Sequence, residues 1–188
     1  VPDTISNAVR DPQVLAVGTL LNDGVPHILT ATYAGATVSA HAVAQMAGAS
    51  RGQRHVLDDD ARGAIDIALA DLNGTGRQDL AAAVFRDGQI RWYENRSTDT
   101  LAFSSGRPLP TDVPGAYAVH PGDVDGNGTT DLFAASRLDG RIVWFSNRGD
   151  AALTLDSLFQ PARTVVDSLD GLESIAVGDV DGNGRPDV

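Results

Sequence analysis

A nine-residue pattern returns along this chain at a long, nearly constant spacing, and no other feature limits its fold as much. Asp71-Leu72-Asn73-Gly74-Thr75-Gly76-Arg77-Gln78-Asp79 recurs as Asp123-Val124-Asp125-Gly126-Asn127-Gly128-Thr129-Thr130-Asp131 and again as Asp179-Val180-Asp181-Gly182-Asn183-Gly184-Arg185-Pro186-Asp187. The starts lie 52 and then 56 residues apart. A second motif keeps the same step: Asp87-Gly88-Gln89-Ile90-Arg91-Trp92-Tyr93-Glu94-Asn95 returns 52 residues later as Asp139-Gly140-Arg141-Ile142-Val143-Trp144-Phe145-Ser146-Asn147. A worn copy of the first motif begins at Thr19, again 52 residues before Asp71. Fixed-period self-similarity marks a chain built from stacked supersecondary units. The repeats run at about 14–65, 66–117 and 118–173, with a partial one at 174–188, in a single segment of residues 1–188.

One repeat reads as four short strands. Ile65, Ile67 and Leu69 alternate with other residues before the aspartate loop, the period of a strand. A second apolar stretch follows the loop, at Leu80 to Phe85 and Leu132 to Ser136. Asp-Gly then signals a tight hairpin turn, and Ile90 to Tyr93 and Ile142 to Phe145 supply a third strand rich in β-branched and aromatic residues. Arg107 to Leu109 and Arg163 to Val166 supply a fourth. Four antiparallel strands in some 50 residues describe one blade of a β-propeller. The fold class is therefore all-β, with about three and a half blades in this chain. A blade cannot bury both faces alone, so neighbours must stack, and Trp92 and Trp144, at identical strand positions, are expected between blades rather than in a ligand site. In the worn repeat the register places the third strand at Thr37 to Ala42. The Ala-rich stretch after it, up to Ala49, reads as a loop or a short helix.

The recurring loop has the donor spacing of a cation site. Oxygen-bearing side chains fall at positions one, three and five: Asp71, Asn73 and Thr75; Asp123, Asp125 and Asn127; Asp179, Asp181 and Asn183. Position seven, at Arg77, Thr129 and Arg185, is expected to give a backbone carbonyl, and position nine a last carboxylate from Asp79, Asp131 or Asp187. Calcium takes six to eight oxygens and tolerates irregular geometry, whereas magnesium demands a strict octahedron with several waters. Gly76, Gly128 and Gly184 at position six allow the bend. A metal-free Asx turn explains any one such loop, but three copies in register crowd carboxylates that would repel one another without a cation. Calcium is expected in all three, with the Asp71 loop the poorest in strong ligands. The worn loop offers Thr19, Leu21, Asp23, Val25 and His27, and Leu21 has no oxygen to give, so no calcium is expected there.

The net charge of −11 argues against nucleic acid, whose phosphates require a basic face, and against an anionic membrane surface. Three Ca²⁺ ions would reduce that charge to about −5, so much of the acidity follows from the loops themselves. No Cys is present, which removes disulfides and thiolate sites, and no run of about 18 apolar residues offers a membrane span. His27, His41, His55 and His120 match no zinc motif. With no nucleophile elbow and no phosphate loop either, no catalytic or organic-cofactor residues are expected. The opening Val1-Pro2-Asp3 and the stop at Val188, just past a complete loop, suit an excerpt of a longer chain.

The loops at Asp123 to Asp131 and Asp179 to Asp187, taken with Trp92-Tyr93-Glu94-Asn95 and Trp144-Phe145-Ser146-Asn147, resemble the FG-GAP, or VCBS-type, repeat family from about Val14 onward. The resemblance implies a propeller, usually seven-bladed, like the head of integrin α-subunits, with Ca²⁺ in the loops stiffening the blades. It also implies a secreted or cell-surface protein in adhesion, carbohydrate-binding or scaffold roles. The expected partners are a protein or glycan ligand, other copies of the chain, or the rest of a longer chain. The alternative is a non-catalytic propeller appended to a secreted carbohydrate-active or other enzyme. Asn95-Arg96-Ser97 is a glycosylation sequon just after a strand: Asn95 is the candidate acceptor if this is a eukaryotic secreted glycoprotein, and a chance match is the alternative.

Overall fold

The computed structural model describes residues 9–42, 54–149, 157–182 and 186–188. The first sheet comprises β1 (Pro12–Thr19), β2 (Pro26–Thr32), β3 (Thr37–Ala42) and β4 (Arg54–Asp58). The second comprises β5 (Ala64–Ala70), β6 (Asp79–Val84), β7 (Gln89–Tyr93) and β8 (Arg107–Pro108). The third comprises β9 (Ala116–Gly122), β10 (Asp131–Ser136), β11 (Arg141–Phe145) and β12 (Arg163–Val166). Each sheet is an antiparallel meander in chain order. No helix occurs among the described residues. The sheets follow one another as propeller blades without closing a ring. The third strand of the worn repeat lies at Thr37–Ala42, where the register put it. The Ala-rich stretch beyond it falls outside the described residues.

The physical logic is visible in the second strand of each blade. β6 and β10 are buried at every position. They lie inside their sheets with apolar layers on both faces, so their sequences are continuous small apolar runs, DLAAAV and DLFAAS, rather than alternating ones. The hairpin that follows differs from a two-residue turn. Val84 pairs with Gln89, which leaves a four-residue connection whose last residue, Gly88, has φ of 64°. Gly140 takes the same conformation at the equivalent position. The glycine of Asp-Gly thus supplies the left-handed residue, while Asp87 keeps negative φ, as expected of a longer loop built on a type I turn.

Two apolar layers join the blades. Leu20, Leu29, Ala31, Val38 and Ala40 of the first blade meet Ile67, Leu80, Ala82, Val84 and Tyr93 of the second. Ala81, Ile90, Trp92 and Leu109 of the second meet Val119, Leu132, Val143 and Phe145 of the third. Each fully buried Leu, Ile or Val contributes about 1.5–3 kcal/mol. Trp92 is 1% exposed in the second layer, edge-on to Phe159 at 5.9 Å. Trp144 is only partly buried on the far face of the third sheet, with the Arg163 guanidinium 5.5 Å from its ring centroid. A polar latch reinforces the first junction. Arg91 on β7 reaches Asp58 on β4 at 3.0 Å and Asp87 at 2.7 Å, and the Tyr93 hydroxyl donates to Asp58 at 2.7 Å. Gly106 packs so tightly there that a Cβ would stand 2.5 Å from the Tyr93 ring.

Candidate metal centres

Every copy of the loop is closed at its base by one antiparallel pair. Gly18 faces His27, Ala70 faces Asp79, Gly122 faces Asp131 and Gly178 faces Asp187. Within that closed base the chain winds through left-handed glycines: Gly74 and Gly76 at 70° and 80°, Gly126 and Gly128 at 72° and 84°, and Gly182 at 75°. Position four therefore needs glycine as much as position six, a requirement the spacing argument had not assigned. With these bends, backbone N–H groups turn inward onto the first aspartate. Asp71 accepts from Thr75 and Gly76 at 3.0 and 2.7 Å, and Asp123 from Gly126, Asn127 and Gly128 at 2.9, 3.1 and 2.9 Å.

The ninth-position carboxylate has a second structural task. Asp79 and Asp131 are 0% exposed. Each accepts the N–H of position two, Leu72 at 3.1 Å and Val124 at 3.2 Å, and the N–H of the asparagine ending the tryptophan motif, Asn95 or Asn147, at 2.7 Å. Asp187 accepts the Val180 N–H at 2.9 Å in the same way. Burial pushes the Asp79 carboxyl up to about 6 against these two hydrogen bonds, and the negative charges of Asp71 and Glu94 push the same way. Burial also raises the Asp131 carboxyl, with Asp125 adding to it. A nearby cation would relieve both, since opposite charge favours the ionised form.

The donor sets differ between loops. One carboxylate oxygen from each of Asp123, Asp125 and Asp131 lies within 4.8 Å of the others, and so do oxygens of Asp179, Asp181 and Asp187. Both triads can hold a metal ion, and as all-oxygen, all-carboxylate sets they suit a hard cation. The Asp71 loop brings together Asp71, Asn73, Thr75 and Asp79 with two carboxylates from the motif itself. The Thr129 hydroxyl contacts both the Asn127 Oδ1 of its own loop at 2.5 Å and the Asn147 carbonyl at 3.1 Å, and Arg77 donates to the Asn95 carbonyl at 2.8 Å. At Arg77, whose side chain has no oxygen, position seven has only its backbone carbonyl to offer the loop. Asn183 and Arg185 lie outside the described residues. In the worn loop Asp23 accepts the Val25 N–H at 2.9 Å, and the buried His27 ring contacts the Val25 carbonyl at 3.1 Å.

A family profile described as FG-GAP-like repeat matches residues 71–134 and again 123–188. The chain belongs to the FG-GAP-like repeat family. The two matches overlap at the Asp123 loop and together cover all three aspartate loops, and the stacked four-stranded sheets accord with membership. No curated protein matches the chain, and no solved structure does.

The asparagine of the tryptophan motif is the functional residue whose role the sequence concealed. Asn95 Nδ2 donates to the Leu20 carbonyl of the preceding blade at 3.1 Å and to Gln78 at 2.9 Å, while its Oδ1 accepts from Ser97 at 2.9 Å. Asn147 repeats this with Leu72 at 2.6 Å, Thr130 at 2.8 Å and Gly149 at 2.9 Å. Both staples reach back 75 residues, to position two of the previous blade's loop. Of the two readings of the Asn95 sequon this geometry favours the chance match: the residue is 0% exposed and both amide hydrogens are engaged. The clue lay in the recurrence of Asn95 as Asn147 one period later, where no sequon accompanies it.

Proposed function

We propose that this chain is a calcium-stabilised, non-catalytic propeller segment that works outside the cell as a scaffold for binding a protein or glycan, or for assembly with further blades. The observation that carries the reading is the convergence of Asp123, Asp125 and Asp131, and of Asp179, Asp181 and Asp187. Asp131 also accepts the N–H of Asn147, whose side chain reaches the Leu72 carbonyl of the preceding blade. A cation at the Asp123 triad neutralises three carboxylates, one of which holds the backbone of the asparagine that staples this blade to the preceding one. Calcium binding and blade docking are then one event. Extracellular calcium, far more abundant than the cytosolic pool, suits loops of modest affinity. No helix among the described residues is long and apolar enough to cross a membrane.

The test is a calorimetric Ca²⁺ titration of the chelator-treated chain, with thermal unfolding followed in parallel. Three sites and a higher melting temperature in Ca²⁺ are expected, because a ligand bound only by the native state stabilises it by mass action. A folded chain that takes up no Ca²⁺ would sink the reading.

A further inference from the structure

The second and third loops differ at position three, Asn73 against Asp125, and the strand end opposite differs with it, Glu94 against Ser146. Both pairs are in contact. Asn73 Nδ2 donates to Glu94 Oε1 at 3.5 Å, and Ser146 Oγ donates to Asp125 Oδ2 at 3.3 Å. The polarity is reversed between repeats. Where the loop residue brings a donor the strand brings an acceptor, and where the loop residue brings an acceptor the strand brings a donor.

The reversal matters because the two loop residues present oxygen differently. A carboxylate can ligate a cation through either oxygen. A carboxamide has one oxygen and one NH₂, and turning it over replaces a ligand with a repelling donor. Asn73 Oδ1 accepts the Thr75 N–H at 3.2 Å, just as Asp125 Oδ1 accepts the Asn127 N–H at 3.1 Å, so the two oxygens hold the same place in their loops. Glu94 can only accept, and it is tied down through its other oxygen by Arg96 at 2.7 Å. It therefore retains the NH₂ end of Asn73 and leaves the oxygen facing the loop.

We propose that Glu94 is the positioning residue of the Asp71 loop, fixing the Asn73 amide with its oxygen toward the cation and supplying beside it the negative charge that Asp125 carries in the next repeat. This rests on reading the loops as calcium sites. Charge is conserved across the pair, though not its geometry: Asp71 and Glu94 both act on Asp79 in the one site, whereas Asp123, Asp125 and Asp131 converge within 4.8 Å in the other. Asp79 feels the Glu94 charge directly. Partners that orient a ligand characteristically change metal affinity about 10–100-fold when removed.

The experiment follows the backbone amides of Gly76 and Gly128 by NMR through a Ca²⁺ titration of the full chain, which reads the two loops separately. Glu94→Ser should weaken binding at the Gly76 reporter about tenfold and leave the Gly128 midpoint unchanged. Glu94→Gln, which keeps the shape, should weaken it as well. Asn73→Asp alone sets two carboxylates against each other. The exchange of both, Asn73→Asp with Glu94→Ser, should restore affinity to that of the parent or better by copying the third repeat. A Gly76 midpoint indifferent to both Glu94 variants, or a folded double variant that fails to recover, would overturn the proposal. A parent chain in which neither glycine responds to Ca²⁺ defeats the calcium reading itself. Failure of the Glu94 inference looks different, because Gly128 then still titrates.

Discussion

Replacing Asn147 by alanine tests whether blades are held together by the asparagine staple or by apolar contact alone. The side chain is 1% exposed and makes three hydrogen bonds, to the Leu72 carbonyl, the Thr130 carbonyl and the Gly149 N–H. The Leu72 carbonyl lies in the buried junction between the second and third blades, so leaving it unpaired costs about 1–3 kcal/mol. The other two partners are part-buried and can recover water, at about 0.5–1.5 kcal/mol each. The total is about 3 kcal/mol, a large share of the roughly 5–15 kcal/mol that holds a domain together. For a chain of this length that amounts to a fall of about 6–12 °C in melting temperature. Urea unfolding of parent and variant, in excess Ca²⁺ and again in chelator, gives the number. The loss should persist in chelator, since the staple is protein to protein. A variant within about 0.5 kcal/mol of the parent would show that the apolar layer carries the junction and that the staple is incidental.

Two further outcomes follow from the same structure. Expressed in a glycosylating eukaryotic secretory system, the folded chain should leave Asn95 unmodified, because the acceptor nitrogen is buried and donates to Leu20 and Gln78. Intact-mass and peptide mass spectrometry read this directly, and a fully occupied Asn95 in a natively folded chain would contradict the packing. Asp66 on β5 accepts the Val119 N–H of the next blade at 2.9 Å and the Ile67 N–H at 2.9 Å, yet burial raises its carboxyl above the ordinary value while those bonds and His120 pull it down. A raised folded value means its contribution to stability is complete below about pH 4 and is lost as pH rises through that folded value. Asp66→Asn should therefore gain on the parent as pH rises through this window, and a difference in urea midpoint that stays flat with pH would refute the assignment.

Much of this protein could be read along the chain. The repeat step placed third strands at Thr37 to Ala42, Ile90 to Tyr93 and Ile142 to Phe145, within a residue of those observed, and the loop spacing picked out Asp123, Asp125 and Asp131, because strand pairing and loop winding are local and each repeat states them afresh. What escaped was whatever joins one repeat to another or depends on burial. The staple links residues 75 apart, the Arg91 to Asp58 latch links residues 33 apart and occurs at one junction among the described residues, and Glu94 shares a site with Asn73 only because a strand end folds back over a loop. A sequon at Asn95 is a local pattern, but its accessibility is a property of the stack. Repetition in sequence records the interactions every blade must make within itself. The contacts between blades depend on which side chains the stacking brings face to face, and even the staple, which recurs at a separation of 75 residues, reaches past its own repeat to a backbone carbonyl that no side-chain pattern marks.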